Sequence, residues 1–289
     1  MIYFLILIQQ TIASMTHIIA QDVTMVVSPP TVLLLRASIA AIALYGLVMI
    51  RERKINLFVG IERKDRWMLV LLGALNILIN QFLYLEGLRY TTPANSALLY
   101  AMTPAIVYVL AMLVHSERTT WKKAVGILVA FVGVTIIIFE RGPALEASHT
   151  MGNLLIFVAV VAWSLFTLLG KPLVKKYGAL RTTALHMTLG ALLYLPFGLL
   201  NTSIIEIQAI TPTLWIDILY LGLVASCINY VLWYYALGKL ETSKVAIFQN
   251  LQPVLTTIIA LYLGRVIFSL ELFGGGIMAI IGILIVEFA

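Results

Sequence analysis

Ten long apolar runs, separated by short polar loops, most constrain what this chain can fold into. They lie near residues 2–21, 30–50, 67–88, 93–113, 121–139, 152–170, 182–200, 213–237, 242–263 and 270–288. Runs of this length match the hydrocarbon core of a bilayer when they are helical, and they lack the strict alternation of membrane barrel strands. Because lipid offers the backbone no hydrogen-bonding partner, each span must satisfy its own backbone groups. The sequence therefore predicts an all-α integral membrane protein with ten transmembrane helices.

The composition excludes the soluble classes. The chain is 62% hydrophobic and only 11% charged, which leaves too little polar side chain to cover a water-exposed surface. Its net charge of +6 could favour nucleic-acid binding, but the basic residues lie in short loops between the apolar runs. We therefore interpret them as orienting charges and expect a lipid bilayer, not a nucleic acid, as the partner.

The loop charges predict the orientation. One set of alternate loops holds fifteen lysines and arginines, the opposite set holds three, and Arg36 lies inside the second run. Basic residues are retained on the cytoplasmic side of a membrane. We expect a multi-pass protein of the bacterial inner (plasma) membrane with both termini in the cytoplasm, and we interpret the first run as a span, not a cleaved signal peptide.

The second half of the chain repeats the first. A shift of 149 residues, without a gap, places the third to fifth runs on the eighth to tenth. It aligns Asn80 with Asn229, Tyr84 with Trp233, Tyr100 with Gln249, Pro104 with Pro253, Gly126 with Gly275 and Gly133 with Gly282. Because each half holds an odd number of runs, the second must enter the membrane upside down. We predict two inverted five-helix repeats, residues 1–140 and 151–289, around a central cavity, an arrangement that transporters use for alternating access.

Several segments resemble a known family. They include "PPTVLLLRASIAA" at 29–41, "NQFLYLEGLRYTTPANSALLYAMTPAIVYVLA" at 80–111 and "INYVLWYYALGKLETSKVAIFQNLQPVLTTIIALYLGR" at 228–265. In order and spacing these segments resemble the EamA family of the drug/metabolite transporter superfamily over nearly the whole chain. The resemblance implies a ten-helix fold with a central cavity, alternating access and export of small metabolites.

Uncharged polar residues near the middle of the runs are the candidates for substrate binding. An amide that faces lipid leaves its hydrogen-bonding groups unmet, so Asn80 and Asn229 should point inward, either to bind substrate or to bond neighbouring helices. The predicted substrate-binding set is Asn80, Tyr84, Tyr100, Trp163, Asn229, Tyr230, Trp233, Gln249 and Gln252.

A second set of residues is a candidate for coupling or gating. His17, Arg36 and Glu86 lie toward the outer ends of their runs, where they could form a proton-coupled cluster, snorkel to the interface or pair structurally. Pro104 and Pro253 break the helical hydrogen bonding in mid-run and could serve as gating kinks or as plain structural kinks. Gly126, Gly133, Gly275 and Gly282 predict close contact between the fifth and tenth helices, either within one subunit or across a homodimer.

An aromatic cavity with a few amides suits an uncharged, zwitterionic or moderately amphipathic solute. We expect a secondary transporter, most simply an exporter, of a small metabolite such as an amino acid, a nucleoside or an amphipathic compound. No phosphate-binding loop or metalloprotease motif occurs in the sequence, so we expect no enzyme activity, cofactor or metal. A lipid or lipid-carrier translocase on the same scaffold is the alternative, followed by a passive channel.

Overall fold

A computed structural model describes residues 1–53, 56–91, 96, 99–114, 120–140, 150–262 and 270–289. Within these ranges the chain forms helices joined by turns, without a strand. Helices occur at all ten predicted positions. Four residues that contribute to the loop-charge count, Lys54, Arg118, Arg141 and Arg265, lie outside the described residues.

Among the described residues, five long helices precede residue 141 and five follow residue 149. The first five are α1 (Ile2–Thr24), α2 (Pro29–Glu52), α3 (Arg63–Gly87), α4 (Thr103–Leu113) and α5 (Trp121–Glu140). The second five are α6 (Thr150–Tyr177), α7 (Ala179–Asn201), α8 (Pro212–Lys239), α9 (242–262) and α10 (Leu270–Glu287), with a short helix, Ile204–Gln208, before α8. Among the described residues, α1, α2, α3, α6, α7 and α8 are the six helices long and apolar enough to cross a membrane.

Two helices carry a wider helical turn in their middle. The segment Ala74–Gln81 of α3 and the segment Tyr220–Ile228 of α8 are π-helical. Such segments add one residue to a turn, rotate the side chains that follow, and occur frequently at functional sites. Both lie where the predicted repeats align α3 with α8, and both expose polar side chains to the interior of the bundle.

The two predicted kinks take a different form from the one expected. Pro104 stands in the first turn of α4, directly after a turn at Ala101–Met102, and not inside a continuous helix. Pro253 follows a 3₁₀ turn, Ile247–Asn250, which interrupts α9. A proline in the first helical turn removes no intrahelical hydrogen bond. In both places a new helical segment therefore begins close to the proline, and there is no bend within one continuous helix.

α5 and α10 pack against each other through glycine. A Cβ atom built on Gly126 would lie 2.9 Å from the carbonyl oxygen of Gly282, and one built on Gly133 would lie 2.6 Å from that of Gly275. Residue numbers rise along one helix as they fall along the other, so the two helices are antiparallel. The predicted glycine contact is therefore made within one subunit.

Several further contacts join helices of the first half to helices of the second half. α3 lies against α7, where Gly73 approaches Gly190, and α8 lies against α2, where Gly222 approaches Ile39. In the same way α1 packs on α8 and α9, while α6 packs on α3 and α4. Of these contacts, α3 on α7 corresponds to α8 on α2, and α1 on α8 and α9 corresponds to α6 on α3 and α4.

Ion pairs join the halves at one end of the bundle, which we call the basic end. Lys176 at the end of α6 binds Asp65 at the start of α3 (2.7 Å) and also Glu62, while Lys123 of α5 pairs with Glu241 ahead of α9. Hydrogen bonds from Lys176 and Lys64 lower the pKa of the exposed Glu62 carboxyl. These contacts link the two halves of the chain at the basic end.

Candidate functional site

The helices surround a cavity of about 100 Å³ lined by both halves of the chain. Since a buried water needs roughly 10–15 Å³ of such space, the cavity has room for several waters or one small solute. Its polar lining consists of amides, hydroxyls, aromatic rings and one guanidinium. The part that α1 contributes is a stripe at helical spacing: Gln9, Ala13, Thr16, His17 and Ala20.

Eight of the nine residues predicted to bind substrate line this cavity, namely Asn80, Tyr84, Tyr100, Trp163, Asn229, Tyr230, Gln249 and Gln252. The ninth, Trp233, is not among the lining residues. It lies behind Trp163, with ring centroids 5.5 Å apart, and is 1% exposed. The π-helical segment of α3 runs past Asn80, whereas that of α8 ends before Asn229. The fourth residue after each asparagine therefore leaves its helix at a different angle, toward the cavity for Tyr84 and into the packing for Trp233.

The two asparagines bond the opposite half of the chain in similar ways. Asn80 donates to the hydroxyl of Tyr100 (2.8 Å) and to the backbone carbonyl of Ala159 on α6 (2.9 Å). Asn229 accepts from the Nε2 of Gln9 on α1 (2.8 Å). Both amides therefore serve as interhelical links while they also line the cavity, and substrate binding by them stays a prediction.

The predicted cluster of His17, Arg36 and Glu86 does not form as expected. His17 and Arg36 line the cavity, but Glu86 is not among the lining residues and its carboxylate pairs with Arg89 (2.9 Å). Arg36 does not snorkel either, because its side chain is buried and donates from Nε and Nη2 to the hydroxyl of Ser226 on α8 (3.2 and 3.0 Å). These residues were grouped because they lie at similar depths in their predicted spans. Glu86, however, lies on a face of its helix that does not line the cavity.

A chain of hydrogen bonds fixes His17. Its Nδ1 lies 2.7 Å from the hydroxyl of Tyr84, and its Nε2 lies 3.2 Å from the Oε1 of Gln252. The Nε2 of Gln252 in turn donates to the Oε1 of Gln10 (2.8 Å). Because Oε1 of a side-chain amide only accepts, Nε2 of the imidazole donates, and in a neutral imidazole Nδ1 then accepts from the tyrosine. This arrangement satisfies a neutral imidazole with both ring nitrogens bonded.

Sequence reasoning missed the polar residues that the π-helical turn of α3 brings together. Gln81 donates to the Oδ1 of Asn76 (3.2 Å), five residues earlier, and to the hydroxyl of Tyr230 (3.1 Å). A spacing of five residues aligns side chains in a π-helix, whereas an α-helix aligns those three or four apart. The α-helical periodicity therefore gave no reason to group Asn76 with Gln81.

Gln9 and Gln10 were also missed. They are two adjacent amides in an otherwise apolar run. Because an amide is costly to expose to lipid, the argument that Asn80 points inward applies equally to both of them. Both are buried in the structure, and both bond the second half of the chain. Gln9 lines the cavity beside His17, whereas Gln10 is not among the lining residues and accepts a hydrogen bond from Gln252.

Several polar atoms of the cavity lack a protein partner within the described part of the chain. The indole Nε1 of Trp163 is a free donor, and the amide oxygens of Gln9, Gln81 and Gln249 are free acceptors. Buried polar groups of this kind are usually satisfied, so a partner from outside the protein is expected. Aromatic rings complete the walls: the rings of Tyr84 and Tyr100 meet edge to face with centroids 5.4 Å apart. The arrangement can bind a small polar solute by hydrogen bonding and by contact with ring faces.

Comparisons with known proteins agree with this architecture. The chain is 30% identical over 226 residues to the uncharacterized transporter YyaM of Bacillus subtilis, covering 77% of this chain and 73% of that protein. It is 28% identical to a protein of Streptantibioticus cattleyicolor named "Probable terminal-alkyne amino-acid exporter", covering 79% of this chain and 76% of the relative. A solved crystal structure superposes with a TM-score of 0.82 at 16% identity, over 99% of this chain and 95% of the other.

A model of the EamA-like transporter family matches the chain twice, at residues 1–139 and 150–288. Together the two matches cover nearly the whole chain. They agree with the resemblance seen in the segments of α2, α3 and α8. The chain is a multi-pass membrane protein of the EamA-like transporter family.

Proposed function

We propose that this protein is a secondary exporter that carries a small metabolite across the membrane by alternating access. The observation that carries the proposal is the buried cavity, which both halves of a transporter-family chain line with polar and aromatic side chains. The name of the Streptantibioticus cattleyicolor relative, a probable amino-acid exporter, favours an amino acid among the small metabolites.

Two inverted repeats, residues 1–140 and 151–289, form the moving parts in this proposal, and all ten helices cross the bilayer. The antiparallel pairing of α5 with α10 supports it, because aligned helices of inverted repeats must run in opposite directions. The packing of α3 on α7, which corresponds to that of α8 on α2, also supports the inverted repeats. Two such copies can exchange conformations and so open the cavity to one side and then to the other.

The basic end faces the cytoplasm in this proposal, in a bacterial inner membrane, with both termini on the same side. The excess of lysine and arginine in its loops is the support. The ion pairs of Lys176 and Lys123 then close the cytoplasmic entrance. Alternating access requires these contacts to break when the cavity opens inward.

The test is flux in proteoliposomes. Purified protein is reconstituted with a panel of labelled L-amino acids, small monocarboxylates, nucleosides and amphipathic amines, beside protein-free vesicles. We expect at least one solute to show saturable uptake that unlabelled solute on the opposite side accelerates severalfold, because a carrier returns faster when loaded. Unsaturable conductance would instead indicate a channel, and movement of labelled lipid without any solute exchange would indicate a lipid translocase; either result contradicts the proposal.

A further inference from the structure

Arg36 carries a buried charge that has no ionic partner among the described residues. Its side chain is 6% exposed and lines the cavity, and its described hydrogen bonds both go to the single hydroxyl oxygen of Ser226. A guanidinium has five N–H donors and always carries its charge. The residues that the structure describes as lining the cavity include no aspartate or glutamate. Within the described part of the chain, the ionisable groups that interact electrostatically with Arg36 are the phenols of Tyr84, Tyr100 and Tyr230 and the imidazole of His17.

None of these neighbours balances the charge. Phenols are neutral at physiological pH, and the hydrogen bonds of His17 to Tyr84 and Gln252 satisfy a neutral imidazole. A buried ion without a counter-ion is strongly destabilising, because the protein interior does not replace the water that the charge has lost. The guanidinium does not reach water by snorkelling to the membrane interface, since its contact with Ser226 holds it against α8. The cavity therefore carries one fixed positive charge.

The other free groups of the cavity are neutral. The amide oxygens of Gln9, Gln81 and Gln249 can accept hydrogen bonds from a solute, and the indole of Trp163 can donate one. They can orient an uncharged or cationic part of a molecule, but they cannot neutralise Arg36. The cavity is thus asymmetric in its chemistry, with one cationic donor site and several neutral acceptors.

We propose that Arg36 binds the carboxylate of an organic solute and is the residue that selects for that group. The proposal rests on the transport function proposed above and adds to it the charge of the solute. A guanidinium pairs with a carboxylate through two parallel hydrogen bonds, a geometry that an uncharged amide does not match. A bound carboxylate gives the guanidinium a counter-ion that it lacks in the empty cavity, so the loaded protein exchanges between its two open states more readily than the empty one.

The test compares each transported solute with the analogue in which an uncharged amide replaces its carboxylate. The solute that wild-type protein exchanges in proteoliposomes is tested beside its primary amide, in wild type, Arg36→Gln and Arg36→Lys. We expect wild type to prefer the acid to the amide by roughly 10- to 100-fold, the range set by charge-assisted hydrogen bonds. Arg36→Gln should bring that ratio near one, and Arg36→Lys should keep part of it.

The outcomes separate the two proposals. If wild type exchanges the acid and the amide equally, or exchanges only solutes without a negative group, the role of Arg36 is overturned while the carrier function stands. If no solute of the panel shows saturable exchange, the carrier function itself fails. Thermal unfolding of wild type in sodium chloride and in sodium gluconate tests for an inorganic occupant: an Arg36-dependent stabilisation by chloride alone would also overturn the proposal. If Arg36→Gln does not fold, the acid-to-amide ratios of wild type and Arg36→Lys decide.

Discussion

Replacement of Gly282 by leucine should loosen or unfold the protein. A Cβ atom at this position would lie 2.4 Å from the backbone nitrogen of Ala130 and 2.6 Å from the carbonyl oxygen of Gly126. Backbone atoms of a neighbouring helix cannot turn aside as a side chain can, so α10 must move away from α5. Overpacking of this kind costs typically about 1–3 kcal/mol. We expect a midpoint of thermal unfolding lower by several degrees and a reduced yield of monodisperse protein in detergent.

The chain offers a matched control for Gly282→Leu in the same helix. Gly274 also lies in α10, but no atom of the described residues lies within 4 Å of a Cβ built there. Gly274→Leu makes the same change in helix propensity and in hydrophobicity, so the difference between the two variants isolates the contact with α5. Equal midpoints for the two variants would contradict the close packing of α5 and α10.

The second large effect is expected at the paired asparagines. Asn80→Leu and Asn229→Leu each remove an amide that lines the cavity and bonds the other half of the chain. Each substitution also leaves buried partners without a hydrogen bond, which costs about 1–3 kcal/mol per group. We expect either variant to lower the rate of solute exchange in proteoliposomes by roughly tenfold or more. The losses should be similar because the two residues occupy equivalent places in the two predicted repeats.

Asn153→Leu is the control for the asparagine variants. Asn153 accepts a hydrogen bond from Thr91 (2.6 Å) and so also links the two halves, but it is not among the lining residues of the cavity. It should lower stability to a similar degree while exchange per folded molecule stays near that of wild type. If Asn153→Leu reduced exchange as strongly as Asn80→Leu, the asparagines would be structural links only.

The positions of the helices could be predicted from sequence because hydrophobic length is a local property. The apolar runs located ten helices, and the aligned glycines predicted the contact of α5 with α10. The 149-residue alignment also selected cavity residues well, since a polar group at the same depth in both halves must face the same interior. Tyr100 and Gln249 illustrate this: neither stands out alone, and both line the cavity.

The details that the sequence did not predict depend on helix irregularity and on rotation. The pattern of apolar residues does not indicate the π-helical segment Ala74–Gln81. This segment nevertheless brings Gln81 beside Asn76 and turns Tyr84 toward the cavity. The depth of a residue in the membrane likewise does not indicate whether its side chain faces the cavity or another helix. Glu86 was therefore grouped with His17 and Arg36, although its carboxylate pairs with Arg89.

Alternating access can be measured without knowing the solute, at Ala13. This residue lies at the centre of α1 and lines the cavity, and Cys227 is the only native cysteine. In the Ala13→Cys, Cys227→Ser protein, a membrane-impermeant maleimide is applied to intact cells for the outer face and to inverted vesicles for the cytoplasmic face. The same rates are then measured with Lys123→Met, which breaks the pair with Glu241, and with the exposed neighbour Lys122→Met as control.

We predict that the introduced thiol is labelled from both faces. Lys123→Met should raise the rate from the cytoplasm and lower the rate from outside, because loss of a pair worth about 1 kcal/mol shifts a two-state population about fivefold. Lys122→Met should change neither rate. Labelling from one face only, or a change of both rates in the same direction, would contradict a carrier that opens its central cavity to one side at a time.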